Sequence, residues 1–187
     1  MNITVYLGAS IGTDEVYQYE TKELGKWIGE NSHCLIYGGS RVGLMGVLAD
    51  ACLKAGGEVI GVEPGFFLED ELQHEGITQL IVTETMAERR AKMIEMGDAF
   101  IAFPGGTGTL EEISEVISLN KLGQLNKPVV ILNIEDYYSP LQIMFKNMVE
   151  EGFLDQKEFD RIHFSRSVED AGWWVEHSAE EFGNMYF

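Results

Sequence analysis

Short apolar runs alternate with longer segments of helical periodicity along almost the whole chain, and this alternation limits the possible folds more than any other feature. Runs that are apolar throughout are typical of strands buried on both faces of a parallel sheet, with helices as the connections. The sequence therefore predicts an α/β protein: a single Rossmann-like domain over residues 1–187, with a mostly parallel sheet flanked by helices on both faces. The predicted strands are 3–7, 34–37, 59–62, 80–82, 99–103, 129–132 and 162–164. The predicted helices are 14–30, 43–55, 85–96, 107–122, 140–151 and 168–181, with 168–187 forming a C-terminal helix and tail.

Charge and hydropathy exclude several classes of partner. The chain has 13 Lys and Arg residues against 31 Asp and Glu, a formal net charge of −18. Such a surface repels a phosphate backbone, so we expect no nucleic-acid partner. No apolar run approaches the roughly 20 residues that a membrane span needs, and the N-terminus enters a strand pattern without a basic leader. We therefore expect no membrane association and a cytoplasmic location.

Glycines cluster directly after several predicted strands, and the strongest cluster is Pro104-Gly-Gly-Thr-Gly-Thr-Leu-Glu-Glu112. In open α/β sheets, ligands bind beyond the carboxyl ends of the strands. Glycines allow the backbone to approach a ligand closely, and the first N–H groups of a helix favour a phosphate. No Lys follows the glycines as in a Walker A loop, and the spacing is not that of a dinucleotide fingerprint. A nucleoside monophosphate fits this loop best, although a tight turn with a Thr or Glu capping box is an alternative.

Two further segments could contribute to the same crevice. The loop 37–46 contains Gly38-Gly39 after the second strand, and its Arg41 could reach a phosphate or could simply be solvated. In the segment 86–93, Arg89 shares a helical face with Met86 and Met93. A guanidinium on an apolar stripe needs a partner, either a protein carboxylate in a structural ion pair or an anion from outside. The stretch 64–76 could be a lid, but an irregular connection is favoured.

These motifs together resemble the Lonely Guy family of cytokinin riboside 5'-monophosphate phosphoribohydrolases, which are often mislabelled as lysine decarboxylases. The resemblance extends to about residue 154. It depends on the full P-G-G-x-G-T-x-x-E match at 104–112, the basic pair Arg89-Arg90 followed by Met93, and Gly-Leu-Met-Gly at 43–46. The chain departs from the family pattern at Ser40, Ala87 and Glu63, where the family tends to have Gly, His and the Ile of an I-P-K strand end.

The resemblance implies which residues act. It implies that Arg89 and Glu112 are the catalytic pair. It implies nucleotide contacts from Glu71, Arg90, Gly105, Gly106, Thr107, Gly108, Thr109, Glu111 and Ser118, the last at a position where the family tends to have Thr. It also implies a homodimer with the site near the subunit interface.

The implied reaction is hydrolysis of the N-glycosidic bond of a purine nucleoside 5'-monophosphate, cytokinin-type or AMP-like, to free base and ribose 5-phosphate. This cleavage passes through an oxocarbenium-like centre that a carboxylate near C1' stabilises. Glu112 lies one helical turn, about 5 Å, beyond the predicted phosphate cradle, which suits the size of a ribose. Glu111 points about 100° away and could bind ribose hydroxyls or cap the loop. We expect Arg89→Ala and Glu112→Ala each to abolish base release while leaving the fold intact.

No metal or cofactor is expected, because the four histidines are far apart in sequence and no acidic triad accompanies them. Two other functions remain open. A non-catalytic carrier of a nucleotide or a molybdopterin-type cofactor could use the same glycine-rich fold. A lysine decarboxylase would need a Schiff-base Lys in the pocket, and no motif supports Lys92, Lys121 or Lys127 in that role.

Overall fold

The computed structural model describes residues 1–66 and 72–184, with side chains described up to residue 178. Seven parallel strands form one sheet in the order β4-β3-β2-β1-β5-β6-β7. The strands are β1 (Asn2–Tyr6), β2 (Cys34–Tyr37), β3 (Glu58–Pro64), β4 (Gln79–Thr83), β5 (Ala99–Ala102), β6 (Val129–Leu132) and β7 (Ile162–Ser165). The helices are α1 (Glu15–Glu30), α2 (Gly43–Lys54), α3 (Met86–Met96), α4 (Thr107–Lys121), α5 (Ser139–Glu150), α6 (Gln156–Phe159) and α7 (Val168–Asn184).

The predicted fold class is confirmed. Asp14 caps α1 and its carboxylate accepts a hydrogen bond from the Val16 N–H, as expected for an acidic N-cap. The sequence did not predict α6 or the 3-10 helix at Ile134–Asp136. Segments of three or four residues are too short to show a helical period, so hydrophobic patterning does not reveal them.

Two apolar cores lie on opposite faces of the sheet. On one face, Leu24 and Ile28 of α1 pack with side chains of α2 and α7. On the other face, Met93 of α3 and Val116 of α4 pack with Phe145 of α5. Because helices cover both faces, the central strands are buried throughout, and this explains why their sequences are continuously apolar. In the described part of the chain, no helix combines the length and apolar composition needed to cross a bilayer.

The chain changes direction across the sheet between β1 and β5. From β1 the strands progress outward through β2, β3 and β4, whereas β5 returns to the other side of β1 and is followed by β6 and β7. Such a switch point opens a crevice at the carboxyl ends of the two strands. Gly8 follows β1, Gly38 follows β2 and Gly105 follows β5, so three glycine-containing loops lie side by side at this edge.

The connection between β3 and β4 is attached to one of these loops. The Arg41 N–H donates to the Leu72 carbonyl, and the His74 N–H donates to the Gly39 carbonyl. An isolated antiparallel bridge joins Ser40 to Gln73. The part of this connection next to the crevice is therefore an ordered, irregular segment. Residues 67–71 lie outside the described residues. The choice between a lid and a connection for this stretch and the predicted contact from Glu71 are therefore not tested.

Candidate active site

A cleft of about 470 Å³ opens at the carboxyl ends of β1, β2, β3 and β5, within the size range of small-molecule sites. Backbone from the three glycine-containing loops forms its floor, and side chains from α2, α3 and α4 form its walls. Its lining residues are Leu7, Gly8, Ala9, Gly38, Ser40, Val42, Met45, Glu63, Leu72, Met86, Arg89, Gly106, Thr107, Gly108, Thr109 and Glu112. The cleft therefore brings together six of the predicted site residues: Arg89, Gly106, Thr107, Gly108, Thr109 and Glu112.

The start of α4 lacks a capping side chain. Gly106 occupies the N-cap position with φ −90° and ψ −158°, and no side chain bonds to the first-turn N–H groups. The tight turn with a Thr or Glu capping box is therefore wrong. Thr107 and Gly108 belong to the first turn of α4, and both residues line the cleft. Free N–H groups at the positive end of a helix dipole favour a bound anion.

Gly105 allows this loop to pack closely against its neighbours. A Cβ at this position would lie 2.2 Å from the Thr109 hydroxyl oxygen and 2.9 Å from the Gly8 nitrogen. The loop is also held by the Tyr137 hydroxyl, which donates to the Gly105 carbonyl at 2.6 Å. Gly105 itself lines a smaller recess of about 390 Å³ that adjoins the cleft at Gly8 and Gly106. Gly105 therefore positions the turn at the start of α4, and its predicted contact with a nucleotide stays a prediction.

Arg89 and Glu112 form a buried ion pair in the wall of the cleft. The Arg89 Nη1 and Glu112 Oε1 atoms are 2.5 Å apart, and each residue is only 9% exposed. The Arg89 Nε–H also donates to the Val62 carbonyl at 2.9 Å, which fixes the guanidinium across the end of β3. The protein carboxylate that the sequence required as one possible partner of Arg89 is therefore present. The pair nevertheless borders open space, because both residues line the cleft.

Burial controls the electrostatics of this pair. Desolvation raises the pKa of the Glu112 carboxyl above its usual range, and the charge and hydrogen bond of Arg89 partly offset that rise. A carboxylate with a raised pKa is a better proton acceptor than one in water. Glu112 can therefore take a proton from a water molecule and still oppose a positive charge that develops in the cleft.

Four other predicted contacts lie beyond the lining of the cleft or outside the described residues. Arg90 pairs with Glu111 at 3.2 Å and with Glu115 at 3.0 Å on the neighbouring helix α4. Glu111 is exposed and does not cap the loop. Ser118 is also exposed, about two turns beyond Glu111, and its hydroxyl donates to the Ser114 carbonyl. The roles predicted for Arg90, Glu111, Ser118 and Glu71 stay predictions.

The second glycine-rich loop forms the floor of the cleft beside Arg89. A Cβ on Gly38 would lie 2.6 Å from Arg89 Nη2, so glycine allows the guanidinium to pass over the backbone. Gly43 has φ +63°, and its Cβ would lie 1.9 Å from the Ala9 carbonyl oxygen. Arg41 is exposed and does not line the cleft, which agrees with the solvated alternative.

Sequence reasoning noted Glu63 only as a departure from the family pattern and assigned it no role. This residue lies next to the end of β3, is 3% exposed and lines the cleft. Its Oε2 atom has no hydrogen-bond partner among residues 1–66 and 72–184. Burial raises the pKa of this carboxyl, and the charge of Arg89 opposes the shift. An acidic residue at the carboxyl end of an otherwise apolar strand was the sequence signal that could have identified it.

Other features of the described residues do not compete with this site. A cleft of about 560 Å³ lies between α1 and α2, but it is open and lined mainly by charged side chains and alanines. Lys92 and Lys121 form ion pairs with Glu95 and Glu158, and the Lys127 ammonium donates to the Gly97 carbonyl. The described residues that line the cleft include no Lys that could form a Schiff base. Within residues 1–66 and 72–184, no three His, Cys, Asp or Glu side chains are grouped as metal ligands.

The sequence is similar to that of named enzymes. It is 43% identical over 171 residues to a cytokinin riboside 5'-monophosphate phosphoribohydrolase of Rhodococcoides fascians, covering 91% of this chain and 86% of that protein. It is 42% identical over 152 residues to a probable cytokinin riboside 5'-monophosphate phosphoribohydrolase of Oryza sativa subsp. japonica, covering 81% of this chain and 62% of the rice protein.

The fold is shared with a protein of another name. The molybdenum cofactor carrier protein of Chlamydomonas reinhardtii superposes with a TM-score of 0.75 over 96% of this chain and 98% of that one, at 23% sequence identity. At this identity the likeness concerns the fold. A family model described as possible lysine decarboxylase matches residues 45–172, a range that includes both the Arg89 segment and the Pro104–Glu112 loop. By this match and its similarity to the curated enzymes, the chain belongs to the Lonely Guy family, which carries that older decarboxylase description.

Proposed function

We propose that the protein hydrolyses the N-glycosidic bond of purine nucleoside 5'-monophosphates, cytokinin-type or AMP-like, and releases the free base and ribose 5-phosphate. The observation that carries this proposal is the buried Arg89–Glu112 pair in the wall of the same cleft as the uncapped start of α4. The names of the enzymes at 42–43% identity support the same reaction.

The distances within α4 suit a ribose 5-phosphate. The phosphate binds at the first-turn N–H groups of Thr107 and Gly108, where the helix dipole offsets the negative charge of the protein as a whole. Glu112 lies on the same helix about one turn beyond, and its carboxylate faces the cleft. The ribose then spans this turn with its anomeric carbon near the carboxylate.

The chemistry assigns a role to each member of the pair. The Glu112 carboxylate stabilises the positive charge that develops at C1' and accepts a proton from the attacking water. The Arg89 guanidinium, fixed by the Val62 carbonyl, holds that carboxylate in place. Its Nη2 atom lies beside Gly38, on the floor of the cleft, where it can contact the ribosyl group.

The direct test is chromatographic analysis of products from nucleoside monophosphates, the corresponding nucleosides and lysine. We expect free base from the monophosphates, far less from nucleosides because the phosphate site stays empty, and no decarboxylation of lysine. Glu112→Gln should lower base release by at least about 100-fold, the usual lower range for loss of an acid–base group. Glu95→Gln, an exposed glutamate of α3, is the control.

A carrier of a nucleotide or molybdopterin-type cofactor is the second candidate, because the molybdenum cofactor carrier of C. reinhardtii has the same fold. A carrier needs the cleft but not the carboxylate, so Glu112→Gln would then leave ligand binding intact and no base would appear with any nucleotide. The buried pair favours the enzyme, since a carrier has no use for a proton acceptor in its wall.

We also propose that the protein works as a homodimer in the cytoplasm. Large apolar side chains exposed beside α4 support the dimer: Leu122 is 67% exposed and Phe153 is 80% exposed, and the Lys121 ammonium lies 3.4 Å from the Phe153 carbonyl. A second subunit that covers this surface would remove both side chains from water.

A further inference from the structure

Two buried carboxyl groups flank a single guanidinium in the cleft, and their surroundings differ. Glu112 is hydrogen-bonded to Arg89, whereas Glu63 forms no hydrogen bond through its buried Oε2 atom within the described residues. Two carboxyl groups in one site with unequal partners are the arrangement by which enzymes separate an acid from a base. Glu112, with its cation, is suited to the base role, so the other carboxyl is available as the acid.

The groups packed around Glu63 favour its neutral form. Arg89 of α3 is the cation that faces it, and this guanidinium already bonds to Glu112 and the Val62 carbonyl. From β2 it meets Tyr37, a buried phenol whose pKa the Glu63 charge helps to raise. Among the described residues that line the cleft, Arg89 is the only cation, and the ring of His74, whose backbone N–H donates to the Gly39 carbonyl, is bonded to Asp50. An unpaired buried carboxyl keeps its proton at a higher pH than one in water.

Glu63 also lies where the base must be. With the phosphate at the start of α4 and C1' near Glu112, the base extends toward the opposite wall of the cleft. The lining of the cleft includes Met45, Val42 and Leu72, whose apolar surfaces suit the faces of a purine. Glu63 lines the same cleft next to Gly39, where a Cβ would lie 3.4 Å from Glu63 Oε2. The Glu63 side chain therefore borders the space that a base held there would occupy.

We propose that Glu63 is the general acid that protonates the purine as it leaves, an assignment that rests on the proposed hydrolase function. The Glu63 O–H proton passes to a ring nitrogen of the base while the C1'–N9 bond breaks and its electron pair moves to the base. The water oxygen forms the new bond to C1', and one water proton passes to the Glu112 carboxylate. The products are the neutral base and ribose 5-phosphate. Proton exchange with solvent then returns Glu63 to the acid and Glu112 to the carboxylate.

The main test compares AMP with 7-methyl-AMP, whose base already carries a positive charge and leaves without taking up a proton. Glu63→Gln keeps the size of the side chain but cannot transfer a proton. We expect this variant to lose at least about 100-fold in kcat with AMP and less than about threefold with the methylated substrate. Glu58→Gln, at the exposed opposite end of the same strand, should match the wild type with both substrates. Equal losses with both substrates, or no loss with AMP, overturn the assignment.

The pH dependence of AMP hydrolysis is a second measure, and it does not depend on the methylated substrate being accepted. An acid must hold its proton to act, so wild-type kcat should fall as the pH rises through the pKa of Glu63. In Glu63→Gln that alkaline fall should disappear and leave a low, flat rate. An alkaline fall that persists in a folded variant refutes the role. If the wild type releases no base from any nucleotide, the hydrolase function itself has failed, and that result differs from a failure of Glu63 alone.

Discussion

Breaking the Arg89–Glu112 pair should destabilise the protein in a way that depends on pH. Arg89→Met leaves a carboxylate that is 9% exposed without its cation, and it removes the donor to the Val62 carbonyl. Removing one partner of a buried ion pair costs about 3–5 kcal/mol. For a chain of this size each kcal/mol lowers Tm by roughly 2–4 °C, so the loss should be about 6–20 °C.

The sign of the pH dependence follows from the carboxyl. Burial raises the folded-state pKa of Glu112, and Arg89 is the group that opposes this rise. Without the guanidinium the folded pKa rises further above the unfolded value of about 4.3. A raised folded pKa favours the folded state below the unfolded pKa, and that contribution is lost as the pH rises through the folded pKa. The Tm deficit of Arg89→Met should be smallest near pH 4 and should grow toward pH 8.

The assay is thermal unfolding from pH 4 to 8 of the wild type, Arg89→Met, Glu112→Met and the double variant. An apolar pair of similar volume removes the uncompensated charge, so the double variant should regain most of the loss. Lys92→Met on the same helix is the control, because its pair with Glu95 is exposed and worth less than about 1 kcal/mol. A deficit that is independent of pH, or a double variant no more stable than Arg89→Met, would refute the reasoning.

Two further predictions concern glycines at the cleft. Gly43→Ala should lower Tm much more than Gly123→Ala does. Both glycines have positive φ, but only at Gly43 would the new Cβ meet the Ala9 carbonyl. Equal losses of Tm in thermal unfolding would contradict this packing. Gly106→Asp should raise stability by about 0.5–1 kcal/mol, because it caps α4 at a site with room for a side chain. The same variant should raise KM for nucleoside monophosphates at least tenfold, because its carboxylate would accept hydrogen bonds from the first-turn N–H groups and repel the phosphate. An unchanged KM in steady-state kinetics would show that the phosphate does not bind at the start of α4.

Part of the candidate site could be predicted from sequence because its residues are close together in the chain. The turn at 104–109 and the carboxylate of Glu112 belong to one strand–loop–helix unit, so helix geometry alone gives their separation. The position of Arg89 on an apolar helical face showed that its guanidinium needs an anionic partner. It did not show which one, because the partner carboxylate is 23 residues away on another helix. Arg90 and Glu111 illustrate the limit: each was assigned to the nucleotide, and in the structure they form an ion pair with each other.

The sequence by itself determined the layered α/β fold, the parallel sheet and the edge at which the cleft opens, because hydrophobic periodicity and glycine position are local properties that backbone geometry converts directly into structure. Only the tertiary structure decided which charges meet. In the strand order only β2 separates β3 from β1, so Glu63 of β3, Arg89 of α3 and Glu112 of α4 line one cleft near the β1–β5 switch point. Burial and pairing set the protonation state of a carboxyl, and both depend on neighbours that are remote in the chain.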